Sequence, residues 1–270
     1  MVKSKTSGEI CVGIGGWTFA PWRGGAFYPK GHAQARELQY AGRAVTTIEI
    51  NGTFYSTQKP ASFRKWADDT PDDFVFSIKA HRLATNRRVL AEAAPSIEKF
   101  IGSGLSEMKS KLGPILWQFA HHKKYEPEDF EAFLALLPKS VDGLKLRHAV
   151  EPRHESFVVP EFVALARKYN VAIVYAHHEK YPAIADVTSD FVYARLQQSA
   201  PNVETGYTTA AIKKWAECAR EWADGKTAKD LPQIGIPQKP TPTDVFFYFI
   251  SGAKERNPAA AQALIKQLKA

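Results

Sequence analysis

The sequence predicts a (β/α)₈ barrel, a closed sheet of eight parallel strands that is surrounded by helices. Short strand-like runs alternate with helical patterns along the 270-residue chain. Eight such runs occur, and each is followed by a helix or a helix-like segment, which is the order of this barrel. An open doubly wound sheet is the competing architecture. It would usually carry a G-x-G-x-x-G turn after an early strand, and GIGGWTF does not fit that pattern.

The eight predicted strands are short runs rich in the β-branched and aromatic residues that favour sheets. In chain order they are EICVGIGG, VTTIEIN, DFVFSIKA, ILWQFA, a run within GLKLRHAVEPR, VAIVYA, FVYARLQ and DVFFYFIS. Their number and even distribution leave room for one helical connection after each strand.

The first four connections carry apolar residues at helical spacing. We expect a modest helix over 33–42 and a second helix that opens at Pro60. The third has an apolar stripe from Ile97 to Leu112 and is expected to stop at Gly113-Pro114. Pro127 suits the first position of the fourth helix.

The later connections are less uniform. The fifth and seventh show clear apolar stripes, and either Thr208 or Thr209 is expected to cap the seventh helix. The pattern after the sixth strand is weak, so we expect a weak or irregular sixth helix. The last helix runs from Pro258 to the end. Without a linker-like shift in composition or a repeat, residues 1–270 are predicted to form a single barrel domain, with residues 1–8 as a flexible N-terminal extension.

Composition and charge narrow the classes of protein. Hydrophobic residues make up 44% of the chain, which is ample for a large core. No run of about 18 apolar residues occurs, and the N-terminal stretch lacks the apolar segment of a secretory signal. We therefore expect a cytoplasmic protein without a membrane partner. Cys11 and Cys218 form neither a disulfide framework nor a metal-ligand spacing.

The net charge of +8 favours an anionic ligand or nucleic acid. Many of the lysines are scattered along predicted helices, where a solvated face explains them, and no nucleic-acid-binding motif is present. A small polar or phosphorylated ligand is therefore the expected partner, and nucleic acid is a secondary one. The oligomeric state is left open.

Polar residues meet at the carboxyl ends of the strands, where barrel enzymes have their active sites. Side chains alternate inward and outward along each strand. This alternation turns these residues inward: Glu49, Asn51, Ser77, Lys79, Gln118, Glu151, Arg153, Tyr193, Arg195, Gln197 and Tyr248, with His154 just past the fifth strand. A structural ion pair would explain one carboxylate and one cation at this end of the barrel. Five charged residues at the same end favour a ligand site instead.

The residue types suit a polar, anionic or sugar-like ligand. Lys79, Arg153 and Arg195 are expected to clamp a phosphate or carboxylate. A carboxylate beside arginines stays ionised, so Glu49 or Glu151 is the candidate catalytic base or orienting group.

The remaining substrate-binding candidates are uncharged or histidine side chains. Trp17 or Trp22 is expected to stack on a sugar or base face. Asn51 and Gln118 are expected to orient the ligand. Tyr55, His154 and Tyr248 complete the set.

We predict no cofactor, with a divalent metal kept as a less favoured alternative. Glu49, Glu151, His154 and His177 are the residues that would meet around such an ion. No H-E-x-x-H or comparable spacing supports it, and adjacent histidines on a strand point to opposite faces.

Six motifs fall in the order found in one protein family. They are GWTFAPWRGGAFYP, EINGTFYSTQKPASFRKWADDTPDDFVFSIKA, LGPILWQFA, VEPRHESF, TSDFVYARL and FFYF. Together they resemble the domain-of-unknown-function family 72, the YecE-like proteins, over nearly the whole chain. The resemblance implies a TIM-barrel fold and no established activity. Its motif residues are matched here by Trp22, Gly24, Phe27, Tyr28, Pro29, Glu49, Asn51, Thr53, Phe54, Tyr55, Phe74, Phe76, Lys79, Glu151, Arg153, His154, Tyr193, Arg195 and Leu196.

Three loops at the predicted mouth depart from the family pattern. Thr85-Asn86 stands where the family has Thr-His, an aspartate is replaced near His177, and YFNN becomes YFIS with Ser251. These departures predict a different ligand or a lost reaction.

We expect an enzyme that acts on a small anionic or carbohydrate-like substrate at the barrel mouth, with hydrolase, isomerase and lyase chemistry equally open. One alternative is a non-catalytic metabolite-binding or sensing protein. Another is a nucleic-acid-directed enzyme, with or without a metal, motivated by Arg82, Arg87 and Arg88 after the third strand.

Overall fold

Eight parallel strands form a closed barrel in the computed structural model, which describes residues 7–270. The strands are β1 Ile10–Gly15, β2 Thr47–Ile50, β3 Val75–Lys79, β4 Leu112–Gln118, β5 His148–Glu151, β6 Ala172–His177, β7 Phe191–Leu196 and β8 Asp244–Phe249. Each strand pairs with its neighbours in chain order, and β1 pairs with both β2 and β8. The predicted barrel is confirmed.

Helices fill most of the connections outside the barrel. They are α1 Glu37–Ala44, α2 Pro60–Asp68, α3 Arg82–Thr85, α4 Ala94–Ile101, α5 Pro127–Leu136, α6 Pro160–Lys168, α7 Thr209–Ala223 and α8 Asn257–Lys269. Short 3₁₀ turns lie at Ala20–Trp22, Gln34–Arg36, Gly52–Phe54, Leu90–Glu92, Leu105–Lys111, Glu155–Phe157 and Lys254–Arg256. A two-residue hairpin joins Ser140–Val141 to Leu144–Lys145.

The third predicted helix is wrong in its length. Helix α4 ends at Ile101, because Gly104 takes a φ of 106° and Lys109 a φ of 52°, both outside the helical region. A Cβ at Gly104 would lie 2.8 Å from Pro60 of α2, so this turn also needs the missing side chain for space. Gly113, expected to stop the helix, already belongs to β4.

The connection after β6 differs from its prediction as well. Residues 178–190, all of them described, contain no helix. The Asp186 carboxylate accepts the backbone N–H groups of Ile234 (2.9 Å) and Gly235 (3.0 Å), and Ala185 N donates to Pro232 O. These hydrogen bonds to a distant loop provide partners for polar groups of the segment while its backbone is extended, so a helix does not form there.

The barrel interior changes from apolar to charged along its axis. Side chains from several strands make an apolar layer of Cys11, Leu116, Ala149, Ala172, Val174, Phe191, Tyr193, Phe246 and Tyr248. Burial raises the pKa of Cys11 to about 12, so it stays a thiol in the core. The hydroxyl groups of two tyrosines of this layer form hydrogen bonds: Tyr248 with Thr47 at 2.8 Å, and Tyr193 with Ser77 at 2.7 Å. The charged residues follow at the strand ends.

Two further predictions concern the terminus and the membrane. Residues 1–6 of the predicted N-terminal extension lie outside the described residues, whereas Gly8 is fixed by donating its N–H to Ala223 O. Between residues 7 and 270, the chain has no helix of the length and apolar character needed to cross a membrane.

Replacing Thr208 by alanine is expected to lower the free energy of unfolding by about 1 kcal/mol. The Thr208 hydroxyl accepts the N–H of Ala211 and thereby caps α7, which resolves the choice left open between the two threonines. Urea unfolding of the variant measures the loss. Thr209→Ala, one residue inside the helix, is the matched control; an equal loss there would contradict the capping role.

Candidate functional site at the mouth of the barrel

Arg195 lies at the centre of the charged layer, between carboxylates from two other strands. Its Nε and Nη2 donate to the two oxygens of Glu49 on β2, each at 3.0 Å. Its Nη1 donates to Glu151 on β5 at 2.5 Å. All three side chains are almost completely buried. The guanidinium therefore ties three separate strands of the barrel together through charge-assisted hydrogen bonds.

Arg153, just beyond β5, forms the second part of this network. Its Nε and Nη2 both donate to Glu151 Oε1 at 2.9 Å, and Nη2 also donates to Gln118 Oε1 at 2.8 Å. The guanidinium lies 4.3 Å from the ring centroid of Tyr181, which fixes its plane by a cation–π contact. Glu151 thus accepts hydrogen bonds from two arginines at once.

The electrostatics of the network keep Glu151 charged. Burial alone raises the pKa of Glu151, but the charges of Arg195, Arg153 and Lys79 outweigh it and hold that pKa below its ordinary value. For Arg195, burial lowers the pKa, and the two carboxylates more than reverse the effect. Tyr193 donates its hydroxyl to Glu49 at 2.6 Å, and its own pKa is raised by burial and by that charge.

Lys79 is the one cation of this layer that has no carboxylate beside it among residues 7–270. Lys79 is the last residue of β3 and is 7% exposed. Its Nζ lies 4.1 Å from the ring centroid of Phe54. Burial and the charge of Arg195 lower the pKa of Lys79 to about 8, against the opposite influence of Glu49 and Glu151. The ammonium group is thus held in a site that disfavours its charge.

A cavity of about 590 Å³ opens above the charged layer, and we call it the mouth cavity. Its floor contains Lys79, Gln118, Arg153 and Arg195, and one wall is aromatic, with Trp17, Phe54, Tyr55 and Trp66. Lys254 adds a fourth cation from the segment after β8. None of the residues from the described part of the chain that line the cavity carries a carboxylate. It is therefore positively charged.

The family is established by the comparison of sequences. The sequence model described as "Protein of unknown function DUF72" matches residues 11–270. The chain belongs to the DUF72 family. The "UPF0759 protein YunF" of Bacillus subtilis is 28% identical over 79 residues, which are 29% of this chain and 27% of YunF. The resemblance read from the sequence motifs is confirmed.

Two solved structures of DUF72 family proteins are similar over nearly their whole length. The Thermotoga maritima protein superimposes with a TM-score of 0.70 at 21% identity, covering 97% of this chain and 98% of that one. The Enterococcus faecalis protein gives 0.68 at 14% identity, covering 98% and 99%. At these identities the likeness shows the fold alone.

In this DUF72 protein, seven of the eleven predicted site residues line the mouth cavity. They are Trp17, Asn51, Tyr55, Lys79, Gln118, Arg153 and Arg195. The alternation of side chains along the strands therefore places the binding candidates together. Their role in binding stays a prediction.

Four predicted site residues do not line the cavity. Glu49 and Glu151 lie beneath the arginines with their oxygens bound. Tyr248 points deeper into the barrel, to Thr47. His154 caps a 3₁₀ turn by accepting the N–H of Ser156, so its ring is held beside the backbone. The catalytic assignment of the two glutamates stays a prediction, and their positions favour holding the arginines in place.

Several lining residues were missed. Lys254 lies in the short 3₁₀ turn after β8, where neither strand nor α-helix periodicity predicts the direction of its side chain. Its Nζ packs 4.4 Å from the Phe19 ring centroid. Trp66 lies on α2, outside the strands whose alternation predicts the site residues. Phe54 belongs to the same motif as Tyr55, so that motif was the available signal for it.

Of the four residues predicted for a metal, Glu49 and Glu151 lie beneath the arginines, and His154 and His177 make separate contacts. No group of three or more His, Cys, Asp or Glu side chains among residues 7–270 is placed to hold a metal ion. The His177 ring packs on Trp215 at 5.0 Å between centroids. After β3, Arg82 and Arg88 are exposed, whereas Arg87 donates to Ser96.

Replacing Glu151 by glutamine is expected to lower the free energy of unfolding at pH 7 by about 3 kcal/mol, because the buried Arg195 and the partly buried Arg153 lose their shared charge partner. The folded-state pKa of Glu151 is depressed, so its contribution is present above the ordinary value of 4.5 and is lost as the pH falls below it. The difference between the two proteins should therefore shrink towards pH 3.5 in urea unfolding.

The control for this variant is Glu131→Gln, which breaks the exposed ion pair with Lys168 on the outer surface. Exposed pairs contribute little, so its effect should be much smaller at both pH values. Equal losses for the two variants, or a difference for Glu151→Gln that does not depend on pH, would contradict the charged state of Glu151.

Proposed function

We propose that the protein is an enzyme that acts on a small anionic or carbohydrate-like substrate bound in the mouth cavity. One observation carries the proposal: four cationic side chains line the cavity, and no lining residue of the described chain carries a carboxylate. Such a lining attracts an anion and repels a cation. A cavity of about 590 Å³ has the size of a site for a small molecule.

The charge of the floor supports an anionic substrate. Three cations, the buried Lys79 and Arg195 and the partly buried Arg153, face two buried carboxylates, Glu49 and Glu151, so one positive charge is left over. Uncompensated buried charge is costly. A bound phosphate or carboxylate group offsets it.

Donors are also free for such a group. Lys79 Nζ has no acceptor among the described residues, and Arg153 Nη1 makes only a long contact of 3.4 Å with the Tyr181 hydroxyl. Because guanidinium and ammonium groups carry several N–H donors, each can bind a ligand oxygen without leaving its present partners.

The aromatic wall supports a substrate with one apolar face. Trp17 and Trp66 pack edge to face at 5.4 Å, and Tyr55, 67% exposed, stands at the rim. An indole or phenol ring packs well on the flat face of a sugar or another planar group. A phosphorylated or acidic sugar-like molecule would contact both the wall and the charged floor.

The polar residues that touch the substrate in this proposal are Lys79, Arg153, Arg195, Lys254, Asn51 and Gln118. Glu49 and Glu151 act as positioning residues, since their oxygens are bound by Arg195 and Arg153 beneath the cavity surface. Hydrolysis, isomerisation and elimination remain equally open at this level.

A non-catalytic metabolite-binding protein is the second candidate. It is favoured by the same burial of Glu49 and Glu151, because no carboxylate from residues 7–270 is left facing the cavity as a general acid or base. Turnover, rather than affinity, separates the two candidates.

Inorganic phosphate is expected to bind the purified protein with one site per chain in calorimetry. Replacing Arg153 or Lys254 by glutamine should weaken binding at least about tenfold, since each removes a charged donor from the cavity. Lys254→Gln breaks no ion pair, so its effect is free of damage to the buried network. Lys213→Gln, on the exposed face of α7, is the control that should bind as the original protein does.

The same protein is then incubated with phosphorylated and acidic sugars, and product formation is followed by NMR. We expect turnover by the original protein and none by the Arg153→Gln variant. Tight binding with no product after long incubation would favour the non-catalytic candidate. An affinity for phosphate that neither substitution changes would remove the mouth cavity from the proposal.

A further inference from the structure

We propose that Lys79 is a nucleophilic amine that forms an imine with a small aldehyde or ketone carrying a carboxylate or phosphate group. The inference rests on the proposed function, because the mouth cavity must first bind the anionic group. It goes further by naming the reacting atom, Lys79 Nζ, and the carbonyl class of the substrate.

The surroundings of Lys79 differ from those of Lys111 and Lys123, which are also shielded from water. Lys111 Nζ donates to the carbonyl oxygens of Ala67 and Thr70 at 2.6 and 2.8 Å. Lys123 Nζ forms an ion pair with Asp129 at 3.1 Å. Lys79 is 7% exposed, yet its Nζ meets neither a carboxylate nor another hydrogen-bond acceptor in the stretch 7–270 and instead lies over the Phe54 ring. Buried lysines are normally paired, so this arrangement needs another explanation.

The unpaired amine faces the ligand space. Lys79 lines the mouth cavity beside Gln118, Arg153 and Arg195. A substrate held by the two guanidinium groups through its carboxylate or phosphate would have its carbon skeleton over Lys79 and the aromatic wall. The amine is therefore placed to attack a carbon atom next to the anionic group.

The environment also favours the neutral, nucleophilic form of the amine. Burial and the positive charge of Arg195 lower the pKa of Lys79 to about 8. At pH 7 about one such lysine in ten is neutral, against about one in 2,500 for an ordinary lysine. Apolar surroundings and a neighbouring cation are the two means by which proteins activate an imine-forming lysine.

The step balances without a further reagent. The neutral Nζ attacks the carbonyl carbon, the N–C bond forms as the C=O π bond breaks, and one Nζ proton passes through solvent to the carbonyl oxygen to give a neutral carbinolamine. The C–O bond then breaks, and the oxygen leaves as water with a proton supplied by solvent in the open cavity. The product is a protonated imine in which Nζ keeps one hydrogen. No electron is gained or lost overall.

The imine narrows the reaction class. A protonated imine withdraws electrons from the neighbouring carbon atoms and so assists cleavage of a C–C or C–H bond next to it. Such chemistry belongs to lyases and to some isomerases, and hydrolysis does not need it. The positive charge of the imine replaces that of the ammonium, so the balance of the charged layer is preserved.

Reductive trapping of the full-length protein tests the inference. The protein is incubated at pH 7 with glyoxylate and cyanoborohydride, and modified lysines are located by peptide mass spectrometry. Lys79 should be labelled about 100-fold faster than Lys213, with a rate that rises with pH to a midpoint near 8. Glycolaldehyde, a neutral aldehyde of similar size, should label Lys79 at least tenfold more slowly, and inorganic phosphate should protect it.

Two variants separate reactivity from simple anion binding. Lys79→Arg should lose the rapid label, since the positive charge is retained and the nucleophilic amine is not. Lys213→Met should leave the labelling of Lys79 unchanged.

The outcomes distinguish the two proposals. Labelling of Lys79 no faster than that of Lys213, or a midpoint above pH 10, overturns the imine while phosphate binding keeps the proposed function intact. Equal rates for glyoxylate and glycolaldehyde, together with no phosphate binding, overturn both.

Discussion

The buried interaction of Arg195 with Glu49 and Glu151 is the constraint on which the rest of the site depends. It joins β7 to β2 and β5 across the barrel, so the charges cannot be satisfied unless the barrel is closed in its observed register. Removing two carboxylates and a guanidinium from water costs several kcal/mol for each ion, and their mutual hydrogen bonds offset that cost. The network positions Arg153 in turn, because Glu151 and Gln118 both accept from it.

This arrangement separates charge along the barrel axis. The carboxylates lie below and are bound, and the cations reach the mouth cavity above them. The cavity therefore presents positive charge although the layer contains both signs. Lys79 stands apart within it, because it is shielded from water without a carboxylate of its own. Charge that the fold leaves uncompensated at a strand end is more easily understood as part of a binding site than as part of the stabilising core.

Strand periodicity predicts that Asn51, Lys79, Gln118, Arg153 and Arg195 face the mouth, because alternation along a strand is a fixed geometric rule. Periodicity alone does not predict how far a side chain extends along the barrel axis. Tyr248 is paired in register with Arg195, yet it turns down to Thr47, whereas Arg195 reaches the cavity floor. Contacts between distant parts of the chain are not predicted by periodicity either. Asp186 accepts the N–H of Ile234, and the chain there is extended where a sixth helix was expected. Lys254 reaches the cavity from a short 3₁₀ turn. His154 shows the reverse case, a motif residue that the local backbone uses as a cap.

The central claim is that the mouth cavity binds an anion above the Arg195 network. Crystals of the protein soaked in tungstate, whose anomalous scattering identifies the ion, test it most directly. The account predicts one strong peak within hydrogen-bond reach of Lys79 Nζ and Arg153. A cavity that stays without an anomalous peak while tungstate occupies surface lysines would contradict it.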